Sequence, residues 1–262
     1  MSNSALHVAR TGLDAQSARM RVIANNLANV NTTGFKRDRA QFETLAYQTM
    51  TAAGSASSAE NRYATGLNLG SGVQMTGTTR VNTQGPMNTT DNPYDLAIEG
   101  DGYFQVTMPD GRTAYTRAGN FERSPDGQLV TPEGMPLQPQ IQIPEGATQV
   151  TIGNDGTVSA TIAGEAEATE VGRVEIARFV NPAGLQPLGD NLLTETQASG
   201  APQVGAAGIE GRGTLRQGVL EGSNVNVVQE LVDMIETQRA YEINSKMISA
   251  NDEMLRNANQ QL

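Results

Sequence analysis

Apolar residues recur every seven positions in two long stretches, one at each end of the chain. In residues 4–30, Leu6, Leu13, Met20 and Leu27 step by seven. Ala9, Ile23 and Val30 fall three positions after members of that series, with Gln16 as the polar exception. This spacing predicts an amphipathic helix with one narrow seam. Ser4 suits its N-cap, and Gly12 weakens its interior by ~1 kcal/mol relative to Ala. Thr33-Gly34 supplies the stop, with Gly34 in a left-handed C′ position. Residues 226–261 mirror this pattern through Val227, Met234, Tyr241, Ile248 and Leu255, with Leu231 completing the first turns. Asn226 and Gln229 read as a capping box, and Glu230, Asp233 and Glu236 crowd the helix start, where the macrodipole favours acids. Glu242–Lys246 and Asp252–Arg256 add pairs at i,i+4.

The period changes between these ends. Residues 51–66 (TAAGSASSAENRYATG) are rich in Ala, Ser and Gly and read as an extended or irregular connector. Beyond them, short β-type runs alternate with Asp-Gly turn signals at Asp101-Gly102, Asp110-Gly111, Asp126-Gly127 and Asp155-Gly156. The expected strands are 103–108, 128–131, 149–152, 157–162 and 174–180. The fold class is therefore α+β: long terminal helices around a central antiparallel β domain at 96–199. Segments 37–95 and 200–217 connect it to a helical part made of 1–36 with 218–262. One helix enters the central body and the other leaves it, so side by side they pair as an antiparallel coiled coil. Their charges agree, since Arg10, Arg19 and Arg21 outweigh Asp14 while acids outnumber bases in the last helix. A pair of narrow stripes still leaves apolar edges exposed, which invites further copies.

Composition removes most chemistry. The chain has 262 residues, no Cys and one His, so disulfides, Cys-based metal sites, thiol nucleophiles, the usual His-rich metal site and most Ser–His–Asp schemes fall away. His7 is expected on a solvent-facing helix position. A net charge of −10 argues against a nucleic-acid binder. No apolar run approaches the ~20 residues of a membrane span, and charges interrupt the first 21 residues where a cleavable signal needs a continuous apolar core. The Asp-Gly pairs lack the alternating acids and distal Glu of a calcium loop, and no glycine cluster forms a phosphate-binding fingerprint. No catalytic, cofactor or metal site is expected, and the chain is read as a structural protein rather than an enzyme.

The most informative segment is ANNLANVNTTGFKR, residues 24–37. Asn25, Asn26, Asn29 and Asn31 are poor helix-interior choices, because their amides compete for backbone groups. They read either as a frayed, capped helix end or as a polar lock that fixes register against a neighbouring helix or copy. This segment resembles the amino-terminal signature of the bacterial flagellar rod and hook axial proteins. QGPMNTTDNPYDLAIEGDGYFQV (84–106), AYTRAGNF (114–121) and QLVTPEGMPLQP (128–139) are similar to that family in the same order. EGSNVNVVQELVDMIETQRAYEINS (221–245) resembles its distal-rod branch most closely. The resemblance implies a subunit of the basal-body rod, exported through the flagellum's own type III apparatus without signal cleavage and located across the periplasm. It implies a homopolymeric helical tube that transmits torque to the hook. Leu6, Leu13, Met20, Ile23, Leu27, Val30, Val227, Leu231, Met234, Tyr241, Ile248 and Leu255 would be the subunit interface. Other rod subunits, the hook protein and the P- and L-ring proteins would be its partners. Another axial subunit, proximal rod or hook protein, is the alternative.

Overall fold

The computed structural model describes residues 2–56, 62–162 and 168–260; of helical residues 2–5, 255 and 258–260 it describes the backbone alone. The fold is α+β, with a helix at each end and antiparallel sheets between. Two compact units emerge. Unit 1 comprises Met1–Leu27, Asp38–Thr79 and Asn226–Leu262, and unit 2 comprises Ala28–Arg37 and Arg80–Val225.

In unit 1, α1 (Ser2–Ala28) and α2 (Val227–Gln260) span nearly the predicted ranges. Asn226 caps α2 through its Oδ1, which accepts from the N–H groups of Val228 (3.0 Å) and Gln229 (3.2 Å). Gln229 Nε2 donates onward to Asp233. At its other contact points α2 runs antiparallel to α1. A Cβ on Gly12 would sit 3.0 Å from Asn244 Nδ2, Arg19 pairs with Asp233 at 3.6 Å, and Asn26 Nδ2 donates to Glu230 Oε2 at 3.2 Å. Gly12, Arg19 and Asn26 themselves step by seven, as do Glu230, Thr237 and Asn244. The helices thus touch along a small and polar stripe one position away from the predicted leucine row. Gly12, weak as a helix former, serves this close approach.

A second face of α1 meets β-structure. Thr11 Oγ1 accepts from Val73 N at 3.4 Å, and Ala18 and Val22, further along that face, line a shallow hollow with Asp38, Met75 and Thr78. On either side of the segment read as an irregular connector, residues 38–51 and 67–80 build a ribbon. β1 (Asp38–Thr44) pairs with β4 (Val73–Arg80), and β2 (Tyr47–Thr51) pairs antiparallel with β3 (Leu67–Gly70). The bridge Ala56↔Arg62 carries the pairing into the segment read as irregular. Nearly every residue of β2 and β3 is exposed, so the period-two burial that betrays a strand is missing there.

Unit 2 holds β5 (Met87–Thr89), β6 (Leu96–Glu99), β7 (Tyr103–Thr107), β8 (Thr113–Thr116), β9 (Glu122–Arg123) and β10 (Leu129–Val130). There follow β11 (Leu137–Gln138), β12 (Ala147–Ile152), β13 (Thr157–Ile162), β14 (Thr169–Arg173), β15 (Glu175–Arg178) and β16 (Gln186–Gly189). β17 (Leu192–Thr194), β18 (Gln203–Ala206), β19 (Thr214–Gln217) and β20 (Val219–Glu221) complete it. The main sheet runs β16-β17-β8-β7-β15-β18, with β11 also on β7. Its strands alternate strictly between two apolar clusters. Phe104, Val106, Ala114, Ile176 and Leu192 point into the larger one, while Tyr103, Tyr115, Ala177 and Leu193 point into the smaller. Both faces are therefore covered. Phe104 meets Phe121 edge-on at 5.1 Å and Tyr115 meets Phe179 at 4.8 Å, contacts worth about 0.5–1.5 kcal/mol beyond their area.

Of the four Asp-Gly pairs, those at 110–111, 126–127 and 155–156 close tight turns, with Gly φ of 82°, 79° and 91°. Asp110 accepts from Arg112 and Asp155 from Thr157, which holds both carboxyls below their ordinary pKa. Gly102 has another reason: its φ is 146°, and a Cβ there would collide with Ile176 Cγ2.

Candidate assembly site

The long helix α2 carries polar residues where it meets α1 and apolar residues elsewhere. Val227, Leu231 and Tyr241 of the predicted seam are exposed, and Met234 and Ile248 are half-buried. The side chain of Leu255 lies outside the described residues. On α1 and its exit, Leu6, Leu13, Met20, Leu27 and Val30 are half-buried, and Ile23 is buried. Sequence reasoning missed a broader apolar surface on α2, with Val228 70%, Ile243 60% and Met254 64% exposed, joined by Val232, Ile235 and Met247. The signal was present: 228 and 235, and 247 and 254, also differ by seven. Among the described residues no helix is long and apolar enough to cross a membrane.

Of the four asparagines, one is a buried lock. Asn26 donates through Nδ2 to Asp38 O (2.9 Å), accepts at Oδ1 from Asp38 N (2.9 Å), and also reaches Glu230. Its amide mimics a β-bridge to the first residue of β1 and ties both to α2. Asn29 Oδ1 accepts from Thr32 Oγ1 in the turn that follows α1, and Asn25 and Asn31 are more exposed. Asn26 thus joins the end of α1 to β1 and to α2 inside unit 1. Asn26→Ala removes the hydrogen bonds to Asp38 N, Asp38 O and Glu230, so it lowers stability by about 1–3 kcal/mol, measurable as a shift of the helical melt at 222 nm.

Unit 2 contains a cluster the sequence did not announce. The fully buried Glu221 accepts from Lys36 Nζ at 2.5 Å on Oε1 and from Arg117 Nε at 2.5 Å on Oε2. Gly85 N donates to Oε1 at 2.9 Å. Arg117 spends its other donors on the carbonyls of Ile98, Gly100 and Gly102, and Lys36 donates to Thr83 O. Asn224 completes the crossing, accepting from Arg37 N and donating to Val81 O and Thr83 O. Gly34 keeps its expected left-handed φ of 69°, though six residues beyond the end of α1 at Ala28. Its missing side chain admits the backbone of Arg117 and Ala118, and its N–H donates to Glu221 O. Burial alone would raise the Glu221 pKa, but the Arg117 charge, the Lys36 hydrogen bond and the remaining donors hold it below the ordinary carboxylate value. Burial pulls Lys36 below the usual ammonium range against the opposing pull of Glu221. Lys36, Gly85, Arg117 and Glu221 come from four of the five segments that carry the family resemblance. Those segments are thus parts of one polar crossing.

Comparison with known proteins agrees with this geometry. Residues 6–36 match the family described as Flagella basal body rod protein. Residues 97–160 match Flagellar hook protein FlgE/F/G D1 domain, and 216–261 match Flagellar basal body rod FlgEFG protein C-terminal. The chain is 51% identical over 255 residues to Flagellar basal-body rod protein FlgG of Buchnera aphidicola, covering 97% of this chain and 98% of that one. It is 47% identical to FlgG of Caulobacter vibrioides over 98% of each chain. Against FlgF of the same bacterium identity falls to 38%, over 92% of this chain and 90% of that one. The chain belongs to the flagellar basal-body rod protein family and is a structural subunit of the rod.

Proposed function

We propose that this subunit builds the distal part of the rod, polymerising into a stiff hollow tube that passes motor torque to the hook. The observation that carries the reading is the outward apolar surface of α2, which copies of the same chain cover. In the tube α1 and α2 pair as an antiparallel coiled coil. Residues 1–36 and 218–262 form its inner wall, 96–199 its outer layer, and 37–95 with 200–217 the connection. The seam residues from Leu6 to Leu255 and the added Val228, Val232, Ile235, Ile243, Met247 and Met254 make the lateral contacts. Each large side chain buried there contributes about 1.5–3 kcal/mol. The higher identity to FlgG than to FlgF of one bacterium favours the distal position over another axial subunit. Its partners are other rod subunits, the hook protein and the P- and L-ring proteins, in a basal body spanning the periplasm reached without signal cleavage. The role is mechanical and needs no cofactor, catalysis or nucleic acid. Electron microscopy of the concentrated protein tests it: tubes of uniform diameter are expected, and Met234→Asp abolishes them while the β body stays folded. Uniform tubes from that variant would discredit the seam.

A further inference from the structure

The buried cluster of unit 2 joins partners far apart in sequence: Glu221 lies 185 residues from Lys36, 136 from Gly85 and 104 from Arg117. Any chain delivered from its amino end presents the two cations first and, last, the carboxylate that both bind. β20, which carries Glu221, pairs with β5, and β19 pairs with β6, whose Leu96 and Ile98 lie in the main core. Closing the body before that stretch arrives would bring Lys36 and Arg117 together without the carboxylate that binds both. We propose that Glu221 is the closing bolt of unit 2: the β body stays open until the strand bearing this carboxylate emerges. Incomplete closure is then more than a lack of two strands, because the charge imbalance opposes the compact state of everything that precedes residue 214. The use of this delay, keeping a chain threadable through a narrow export channel, rests on the rod-subunit reading above; the delay itself does not.

Limited proteolysis tests the bolt on three purified proteins: the full chain, the full chain with Glu221→Gln, and a chain ending at residue 213. The full chain is expected to leave a resistant fragment covering unit 2. The shortened chain is digested throughout at least about a hundredfold faster, and Glu221→Gln, which keeps the side-chain shape but removes the charge and one of the two acceptor oxygens, at least about tenfold faster. A resistant unit 2 fragment from the shortened chain overturns the proposal, as does a Glu221→Gln protein cleaved at the parent rate. Neither result bears on tube formation, which the microscopy above decides separately.

Discussion

Glu221→Leu lowers the unfolding free energy of unit 2 by about 3–5 kcal/mol, because it leaves two buried cations facing each other without their anion. Lys36 and Arg117 are both buried, so neither can rehydrate without opening the fold. The chain has no Trp, so a urea titration followed by the near-ultraviolet dichroism of the Tyr and Phe clusters reports the loss as a lower midpoint. Removing the whole cluster discriminates the cause. With Lys36→Met and Arg117→Met added, most of the stability returns, since an apolar replacement of similar volume no longer strands a charge. A triple variant as weak as the single one would mean that Glu221 acts through shape instead. The same group sets an acid limb. Its folded pKa lies below the ordinary value of 4.5, so its contribution is fully present above that value and is lost as pH falls through the folded pKa. Glu221→Gln therefore flattens the dependence of the urea midpoint on pH below 4.5.

Paired substitution of Ile235 and Ile243 by Asp abolishes tube formation and leaves the isolated subunit nearly untouched. Both side chains are exposed in the single chain, at 50% and 60%, so the change costs the monomer within about 0.5 kcal/mol. In the polymer each lost burial removes about 1.5–3 kcal/mol, and each new carboxylate must also be desolvated. The loss repeats at every subunit, so sedimentation at high protein concentration should show only monomer. A matching pair at Arg239 and Glu242, changed to Ala, serves as the control for altering α2 without touching its apolar surface.

The two helices and five of the strands, β7, β10, β12, β13 and β15, were legible because burial there is periodic. Leu6 to Leu27 and Val227 to Leu255 mark helices by sevens, and residues 157–162 alternate so cleanly that β13 spans the predicted range. What periodicity cannot say is which flank of a helix meets which neighbour. Gly12 looked like a weakness and Asn244 like an ordinary polar residue, yet their close approach shows where the helices touch. The ribbon at β2 and β3 escaped because strands exposed on both faces alternate nothing. Glu221 escaped for a different reason. A single acid beside Gly222 and Ser223 reads as surface, and its partners are separated by more than a hundred residues, where no spacing rule applies. Of the four asparagines, Asn26 alone is buried.

Hydrogen exchange along α2 tests most directly whether its apolar surface is made for sister subunits. In dilute protein the amides of residues 240–254 should exchange quickly, as expected for a helix held on one polar stripe. In assembled tubes they should slow by well over tenfold, since burying even one large side chain there is worth about 1.5–3 kcal/mol. Equal exchange in the two states, or full protection already in the dilute chain, would contradict the claim that neighbouring copies cover this helix.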